Sequence, residues 1–234
     1  MSALEKLPDI EFSDVHAGLE TCLAGAVAKL LTTTRFRKAV MCGDLSNGNL
    51  DLSRFSREQW QLLMVMRELA QEDRLVFVWG NHDPKITKLL EALCGIKAVE
   101  SYEWEWYGRT CLAIHGHQWD RVCCKSSICA SVLTWLLTWL LAHKWLHFGA
   151  ERLMDSIHVD WEKLTPKIRD GAIALAKRRG ATIVLCGHTH KKYGPETIDG
   201  VTYVNSGCCL GGLGDPITYV MIDDGGPHVL EFRG

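Results

Sequence analysis

The 234-residue sequence lacks a strong charge of either sign, a secretion signal and any repeated or low-complexity tract. Its formal net charge is −2 at pH 7, so no broad electrostatic attraction to nucleic acid is expected. The first six residues have neither the basic start nor the long apolar stretch of a secretory signal, which predicts a cytoplasmic location. With 47% hydrophobic and 23% charged residues, the composition is typical of a folded globular chain.

A zinc-binding cysteine pattern is also missing, although the chain contains ten cysteines. The adjacent pairs Cys123-Cys124 and Cys208-Cys209 do not have the CxxC spacing of a structural zinc site. A chain of this size without a secretion signal does not need disulfides for its stability. We therefore predict that most of the cysteines are reduced and buried.

Apolar strand-like runs alternate with helix-like segments, which predicts one α/β domain spanning residues 1–234. The clearest strand-like runs are residues 10–12, 39–42, 75–79, 111–114 and 182–186. Helices are expected at about 19–31, 57–71 and 164–179, with a further helix starting from an Asp83 N-cap and running toward Leu93. Closely spaced strands near 201–204, 217–222 and 228–232 are expected to form a second sheet, packed on the first.

Residues 121–162 break this alternation and predict a helical insertion. Between Lys125 and Lys144 the sequence has no Asp, Glu, Lys or Arg. Three interpretations are open: helices that only pack on the domain, a cap that receives an apolar part of a substrate or touches a bilayer through residues 128–148, and a membrane span of about 20 apolar residues. The span is the least favoured, because polar clusters on both sides of the segment must meet in one compact fold.

Five short clusters of Asp, Asn and His each follow one of the apolar runs. They are Asp14/His16, Asp44, Asn81/His82/Asp83, His115 and His188/His190. Because open α/β sheets form their sites at the carboxyl ends of strands, we expect these side chains to meet. Imidazole and carboxylate ligands suit manganese, iron or zinc, so the clusters predict a site for two metal ions, with Asp44 as the candidate bridge.

The order of these clusters along the chain resembles the signature of the calcineurin-like metallophosphoesterase superfamily. The matching blocks are Asp14-Val15-His16, Gly43-Asp44, Gly80-Asn81-His82-Asp83, His115-Gly116-His117 and Gly187-His188-Thr189-His190. The resemblance implies an α/β fold in which a layered β-sandwich is flanked by helices, with the insertion as a helical cap. It also implies a two-metal centre at the strand ends.

The resemblance assigns seven side chains to two divalent metal ions, with Mn²⁺ expected and iron or zinc as alternatives. Asp44 bridges the two ions. The other ligands divide into Asp14, His16 and His190 for the first ion and Asn81, His115 and His188 for the second.

The resemblance further implies attack on phosphorus by hydroxide held between the metals, with His82 as the general acid. Asp83 is expected to orient the His82 ring. Asn81, His117 and Arg121 are candidate substrate-binding residues, and a structural role for His117 is equally open.

Two positions depart from the family's patterns. The family usually has aspartate where Asn47 stands, so the metal affinity or preference is expected to differ here. The insertion after His115 is most similar to the branch around UDP-2,3-diacylglucosamine pyrophosphatase, but that branch tends to have arginine at the position of His82. The resemblance therefore predicts hydrolysis of a phosphoester or pyrophosphate bond, with a nucleotide-sugar lipid or a related amphipathic molecule as the narrower hypothesis.

Two other functions stay open. A nuclease of the same superfamily would need a basic groove of nucleic-acid size, whereas the small basic clusters at 177–179 and 191–192 are more typical of solvated helix or loop ends. A non-catalytic scaffold that binds protein partners is expected to have lost ligands or His82, and all of these are present. We therefore expect a small phosphoester or pyrophosphate substrate as the partner.

Overall fold

The computed structural model describes residues 6–48, 52–120, 161–212 and 214–234. The chain divides into two compact units, one formed by residues 1–116 and 172–234 and the other by residues 117–171. Arg121, the apolar stretch 128–148 and nearly all of the predicted insertion at 121–162 lie outside the described residues. The single-domain organisation with a cap stays a prediction.

Eleven strands of the described residues form two sheets. In chain order they are β1 (Asp9–Phe12), β2 (Ala39–Cys42), β3 (Leu75–Val78), β4 (Ala98–Val99), β5 (Ser101–Trp106), β6 (Arg109–Ile114), β7 (Ile183–Cys186), β8 (Tyr193–Ile198), β9 (Val201–Asn205), β10 (Ile217–Asp223) and β11 (Gly226–Phe232). The first sheet has the order β11-β10-β1-β2-β3-β4, and the second has the order β5-β6-β7-β9-β8. Together with the helices they confirm the predicted α/β fold with two sheets.

Within each sheet the central strands are parallel. Strands β1 to β4 pair in parallel in the first sheet, as do β6, β7 and β9 in the second. The expectation that the last three strands all belong to the second sheet is wrong. Only β9 lies there, whereas β10 pairs antiparallel with β1 and β11 with β10, so the hairpin they form extends the first sheet.

The central strands β1 and β2 of the first sheet are buried on both faces, which explains the uninterrupted apolar run of β2. In β2, Ala39 and Met41 belong to a core shared with the helices, while Val40 and Cys42 belong to a core shared with the second sheet. Side chains alternate between the two faces of a strand, so each face of β2 has its own apolar partner. The seven cysteines in the described ranges are free thiols, and five of them are buried, as predicted.

Four α-helices are present in the described residues. They are α1 (Ala24–Thr33), α2 (Arg57–Gln71), α3 (Thr87–Cys94) and α4 (Trp161–Arg179). The bounds of α2 match the prediction, and a capping box between Ser56 and Gln59 defines its start. Of the described helices, none is both long and apolar enough to cross a membrane.

Two predicted helix starts are wrong. Helix α1 begins at Ala24 rather than near residue 19, because the N–H of Leu19 bonds to the carbonyl of His16 and closes a turn first. Helix α3 has its N-cap at Ile86 rather than at Asp83, whose carboxylate accepts the N–H of Asp44 in the loop after β2 and that of Gly80 in its own loop. A local turn therefore precedes α1, whereas contacts of Asp83 with a distant loop accompany the later start of α3.

Candidate metal centre

The candidate ligands lie at the carboxyl ends of five parallel strands, all within the unit formed by residues 1–116 and 172–234. Asp14 and His16 follow β1, Asp44 follows β2 and Asn81 follows β3, all in the first sheet. His115 follows β6, and His188 and His190 follow β7, both in the second sheet. Side chains from both sheets therefore contribute to one site.

Three groups of these side chains have ligand atoms within 4.8 Å of one another. The groups are Asp14, His16 and His190; His16, Asp44 and His82; and Asp44, His115 and His188. The first contains the three side chains expected for one ion, and the third contains Asp44, His115 and His188 of those expected for the other. Asp44 also belongs to the second group, with His16 and His82. Its Oδ2 atom is 3.3 Å from Nε2 of His115 and 3.9 Å from Nε2 of His16, so it is close to candidate ligands of both expected sites.

Asn81 provides a further test of whether these residues fit a metal. Its Oδ1 atom is buried and accepts no hydrogen bond from the residues described. A buried amide oxygen without a donor costs about 1–3 kcal/mol. A divalent cation compensates for the missing donor, so Asn81 fits the predicted role of ligand to the second ion.

The electrostatics of the pocket also favour bound cations. Burial alone would raise the pKa of Asp44, but the positive charge of His115 and its hydrogen bond lower that pKa to about 2. Burial alone would lower the pKa of His115, but the charge of Asp44 raises it to about 9. Burial also opposes ionisation of Asp14, yet hydrogen bonds with His16 and His190 hold its pKa well below the usual range. Both carboxylates therefore stay ionised at neutral pH, in a buried site that favours positive charge.

Five of the candidate ligands have left-handed backbone conformations. Their φ angles are 53° at Asp14, 49° at His16, 53° at Asp44, 68° at His188 and 56° at His190. Few non-glycine residues adopt this region, although Asp and His are enriched among those that do. Such conformations cluster at functional sites, where the surrounding structure compensates for their cost.

Glycines allow the ligand loops to approach one another. A Cβ atom at Gly43 would lie 2.2 Å from Nδ1 of His115, and one at Gly80 would lie 2.2 Å from Oδ1 of Asp44. Because both distances are far below contact distance, the glycines of these two blocks are required by the packing of the ligands.

Replacing Gly43 by alanine should displace His115 and weaken binding of the second metal ion. Gly200 provides a matched control, since its φ of +83° is close to the +89° of Gly43 but a Cβ there meets no atom within 4 Å. We expect Gly43→Ala to lose about 1–3 kcal/mol more stability than Gly200→Ala, the cost typical of overpacking. Denaturant unfolding and metal content measure the difference, and equal behaviour of the two variants would contradict this account.

His82 stands at the rim of the pocket. Its side chain is 43% exposed, and Nε2 lies 3.9 Å from Oδ2 of Asp44. The ring meets the His16 ring edge-on, with 5.4 Å between the centroids. This position is open to a substrate and adjacent to the metal ligands.

Asp83 is buried and bonds to backbone groups. Its carboxylate accepts hydrogen bonds from the N–H groups of Asp44 at 2.7 Å, Gly80 at 2.8 Å and Ser46 at 3.2 Å. We expected Asp83 to orient the His82 ring, but among the described residues no hydrogen bond joins the two side chains. Asp83 instead holds the loops after β2 and β3 together and fixes the backbone position of Asp44.

The remaining candidate residues are placed differently. His117 is buried in a 3₁₀ turn, His117–Trp119, of the unit formed by residues 117–171, and its role in binding substrate stays a prediction. Arg121 lies outside the described residues. The side chain of Asn47 is half-buried beside Gly18. Gly18 comes two residues after the candidate ligand His16.

Sequence patterns did not single out a buried polar group beneath the ligands. Glu11 lies in the middle of β1 and is completely buried, and Ser13 and Ser206 are buried beside it. One sequence signal could have identified Glu11, namely a charged residue within a strand-like apolar run. Glutamate is almost never fully buried without a partner, so such a residue indicates a buried polar contact.

Comparison with known protein families agrees with the resemblance seen in the sequence blocks. The sequence profile described as calcineurin-like phosphoesterase matches residues 10–192. No curated protein matches the chain significantly.

Several solved structures have a similar fold. YfcE, a phosphoesterase from E. coli, has a TM-score of 0.52 and 15% sequence identity, over 93% of this chain and 89% of that one. An archaeal phosphodiesterase has a TM-score of 0.51 and 16% identity, over 96% and 99% of the two chains. Wild-type Vps29 from Entamoeba histolytica, complexed with Zn²⁺, has a TM-score of 0.50 and 15% identity, over 97% and 99%.

Proposed function

Because the chain belongs to the calcineurin-like phosphoesterase family, we propose that it hydrolyses a phosphoester or pyrophosphate bond with the help of two divalent metal ions. One observation carries the proposal: the ligand atoms of Asp14, His16 and His190 lie within 4.8 Å of one another, as do those of Asp44, His115 and His188, and Oδ2 of Asp44 is 3.9 Å from Nε2 of His16 in the first group. The ionised state of Asp14 and Asp44 supports it further, since both carboxylates favour cations in this pocket.

The chain's own residues divide the work of the reaction. Two divalent ions, when bound, supply an acidified water and a clamp on the phosphoryl oxygens. Asp83 holds the loop of Asp44 in place through backbone hydrogen bonds. Negative charge develops on the leaving oxygen as the P–O bond breaks, and His82 at the rim donates a proton to it.

Removal of metal tests the proposal directly. After chelation and dialysis the protein should hydrolyse neither bis(p-nitrophenyl) phosphate nor a nucleotide pyrophosphate, and adding Mn²⁺ should restore activity at two ions per chain. Repeating the addition with Zn²⁺ and Fe²⁺ identifies the preferred metal, for which Mn²⁺ is our prediction. Full activity of the chelated protein, or saturation at one ion per chain, would refute the two-metal mechanism.

A phosphodiester is the substrate class that we favour. The similar structures of a phosphoesterase and a phosphodiesterase support this choice, although at their sequence identities they show a common fold alone. The narrower hypothesis of a nucleotide-sugar lipid depends on the insertion at 121–162 and has no support from the described residues. Parallel assays with an acylated UDP-sugar, its deacylated form and single-stranded DNA separate the lipid, small-molecule and nuclease alternatives.

A non-catalytic scaffold is the second candidate, and the likeness to Vps29 is the observation that favours it. Against it, six of the seven candidate ligands and His82 lie in overlapping groups of ligand atoms, and the buried Oδ1 atom of the seventh, Asn81, has no hydrogen-bond donor among the described residues. A metal-loaded protein that hydrolyses nothing in the panel would favour the scaffold, and protein partners would then be sought.

A further inference from the structure

A buried chain of polar atoms runs beneath the metal ligands. Oε1 of Glu11 is 3.1 Å from Oγ of Ser206, which is 2.8 Å from Oγ of Ser13. Oγ of Ser13 is in turn 3.2 Å from the carbonyl oxygen of Gly207. Glu11, Ser13 and Ser206 are each 0% exposed, so water does not compete for these contacts.

Counting hydrogens shows what this chain requires. Three contacts need three hydrogens, and each serine hydroxyl supplies one. The carbonyl of Gly207 only accepts, so the third hydrogen comes from Glu11, which is then a neutral carboxylic acid. With Glu11 ionised, Ser206 donates to Glu11 and one of the three contacts has no hydrogen. With Glu11 protonated, all three contacts are hydrogen bonds, running from Glu11 to Ser206, from Ser206 to Ser13 and from Ser13 to Gly207. Burial raises the pKa of Glu11 well above its usual value, in agreement with this count.

The chain of hydrogen bonds connects the two sheets at the loops that carry ligands. Glu11 and Ser13 lie in and just after β1 of the first sheet, while Ser206 follows β9 of the second. The N–H of Ser206 bonds to the carbonyl of Cys186, at the end of β7, at 3.2 Å. The loops after β1, β7 and β9 are therefore held together from below.

The same loops place the ligands Asp14 and His188. The N–H of His188 donates to Oδ2 of Asp14 at 2.9 Å, and the N–H of Cys209 donates to the carbonyl of Asp14 at 3.1 Å. The amide of Asn205 donates to the carbonyl of Gly187 at 2.7 Å. Apolar packing between two sheets is not directional, whereas buried hydrogen bonds specify one arrangement.

We propose that Glu11 is a positioning residue that donates the first hydrogen bond of a chain through Ser206 and Ser13 to Gly207, and thereby sets Asp14 against His188 for metal binding. The proposal rests on the proposed function, because its consequence is metal affinity. It also explains why a carboxyl group is retained in the apolar core between the sheets.

Two substitutions of Glu11 separate positioning from simple stability. Glu11→Gln remains a neutral hydrogen-bond donor, so its affinity for Mn²⁺ should stay within about threefold of the parent protein. Glu11→Met fills a similar volume without a donor, and we expect about 10–100-fold weaker Mn²⁺ binding, as for other residues that orient a metal ligand. Its thermal midpoint should not fall, because an apolar side chain suits a buried site. Calorimetric titration of the metal-free, full-length protein measures the affinity.

Asp9 provides the matched control at the other end of β1. Its Oδ2 atom accepts a hydrogen bond from Nε1 of Trp104, in β5 of the second sheet, at 3.0 Å. Asp9→Asn also weakens a buried polar contact between the sheets and should lower the thermal midpoint. It should leave Mn²⁺ affinity unchanged, because Asp9 is remote from the ligand loops.

The outcomes distinguish the positioning role from the proposed function. Parent-like Mn²⁺ binding by Glu11→Met, or loss of affinity in Glu11→Gln as large as in Glu11→Met, would overturn the positioning role. Infrared difference spectra against Glu11→Gln should show the carbonyl stretch of a protonated carboxylic acid, and its absence would overturn the hydrogen count.

If the parent protein bound no Mn²⁺ at all, the proposed function would fail, but the infrared band would still report whether Glu11 is protonated. Ser206→Ala, which interrupts the same chain, should reproduce the affinity loss even if Glu11→Met does not fold.

Discussion

Replacing Asp44 by asparagine should remove both metal ions together and abolish turnover. Asp44 belongs to the group with His115 and His188, and its Oδ2 atom is 3.9 Å from Nε2 of His16 in the other group. Losing its charge should therefore weaken both proposed sites, and we expect affinity to fall by more than the roughly 100-fold upper range for residues that only orient a ligand. Asparagine is the right substitution because its backbone tolerates the left-handed conformation of Asp44, with φ 53°. Metal content and hydrolysis of a phosphodiester measure the effect.

Asp14→Asn is the matched control that tests whether Asp44 serves both ions. Asp14 has the same φ of 53° and is also buried, but it belongs only to the group with His16 and His190. It should lose the first ion and keep one ion at the site of His115 and His188. If both variants lost a single ion, Asp44 would be an ordinary ligand rather than a bridge.

The second large effect is expected at His82. His82→Asn should keep two ions per chain while turnover falls by about 10²–10⁴-fold, the usual contribution of a general acid. Burial lowers the pKa of His82, although the charge of Asp44 opposes this. Because a general acid acts only when protonated, the rate of the parent protein should fall as pH rises through this pKa, and the variant should lack that limb. Metal analysis and pH–rate profiles provide the test.

A half-exposed surface histidine provides the control. His228 bonds to Asp223 on the β10–β11 hairpin, and His228→Asn should leave both metal content and turnover unchanged. If His82→Asn lost metal and activity in equal measure, His82 would act as a ligand. The group of His16, Asp44 and His82, with ligand atoms within 4.8 Å, makes this a real alternative outcome.

Strands buried on both faces were predicted from sequence, whereas the partly or mainly exposed β5 and β8 were missed. The runs that became β2 and β7 are wholly apolar, because both faces of each strand meet a core. Strand β8 is a mainly exposed edge strand with Gly194 and Pro195 in it, so its sequence does not differ from that of a loop. The omission of β5 was avoidable, since the alternation of Trp104 and Trp106 with glutamates is a strand signal.

The ligands were predictable for a related reason. His115 stands out because it directly follows the apolar end of β6, and Asp14 because it comes two residues after the apolar end of β1. The role of Asp83 depends on a contact with Asp44, which is 39 positions away in the sequence. The role of Glu11 depends on a contact with Ser206, which is 195 positions away. No local pattern encodes those contacts. Only the folded chain therefore shows that Asp83 holds the loop of Asp44 and that Glu11 connects the two sheets.

The left-handed turns restrict how this site can change during evolution. At Asp14, His16, Asp44, His188 and His190 a substitution must satisfy the backbone as well as the metal. Alanine, valine or isoleucine would strain the turn after coordination had already been lost, whereas asparagine and glycine would not. A descendant that abandons catalysis but keeps the fold should therefore accumulate asparagine or glycine at these five positions first.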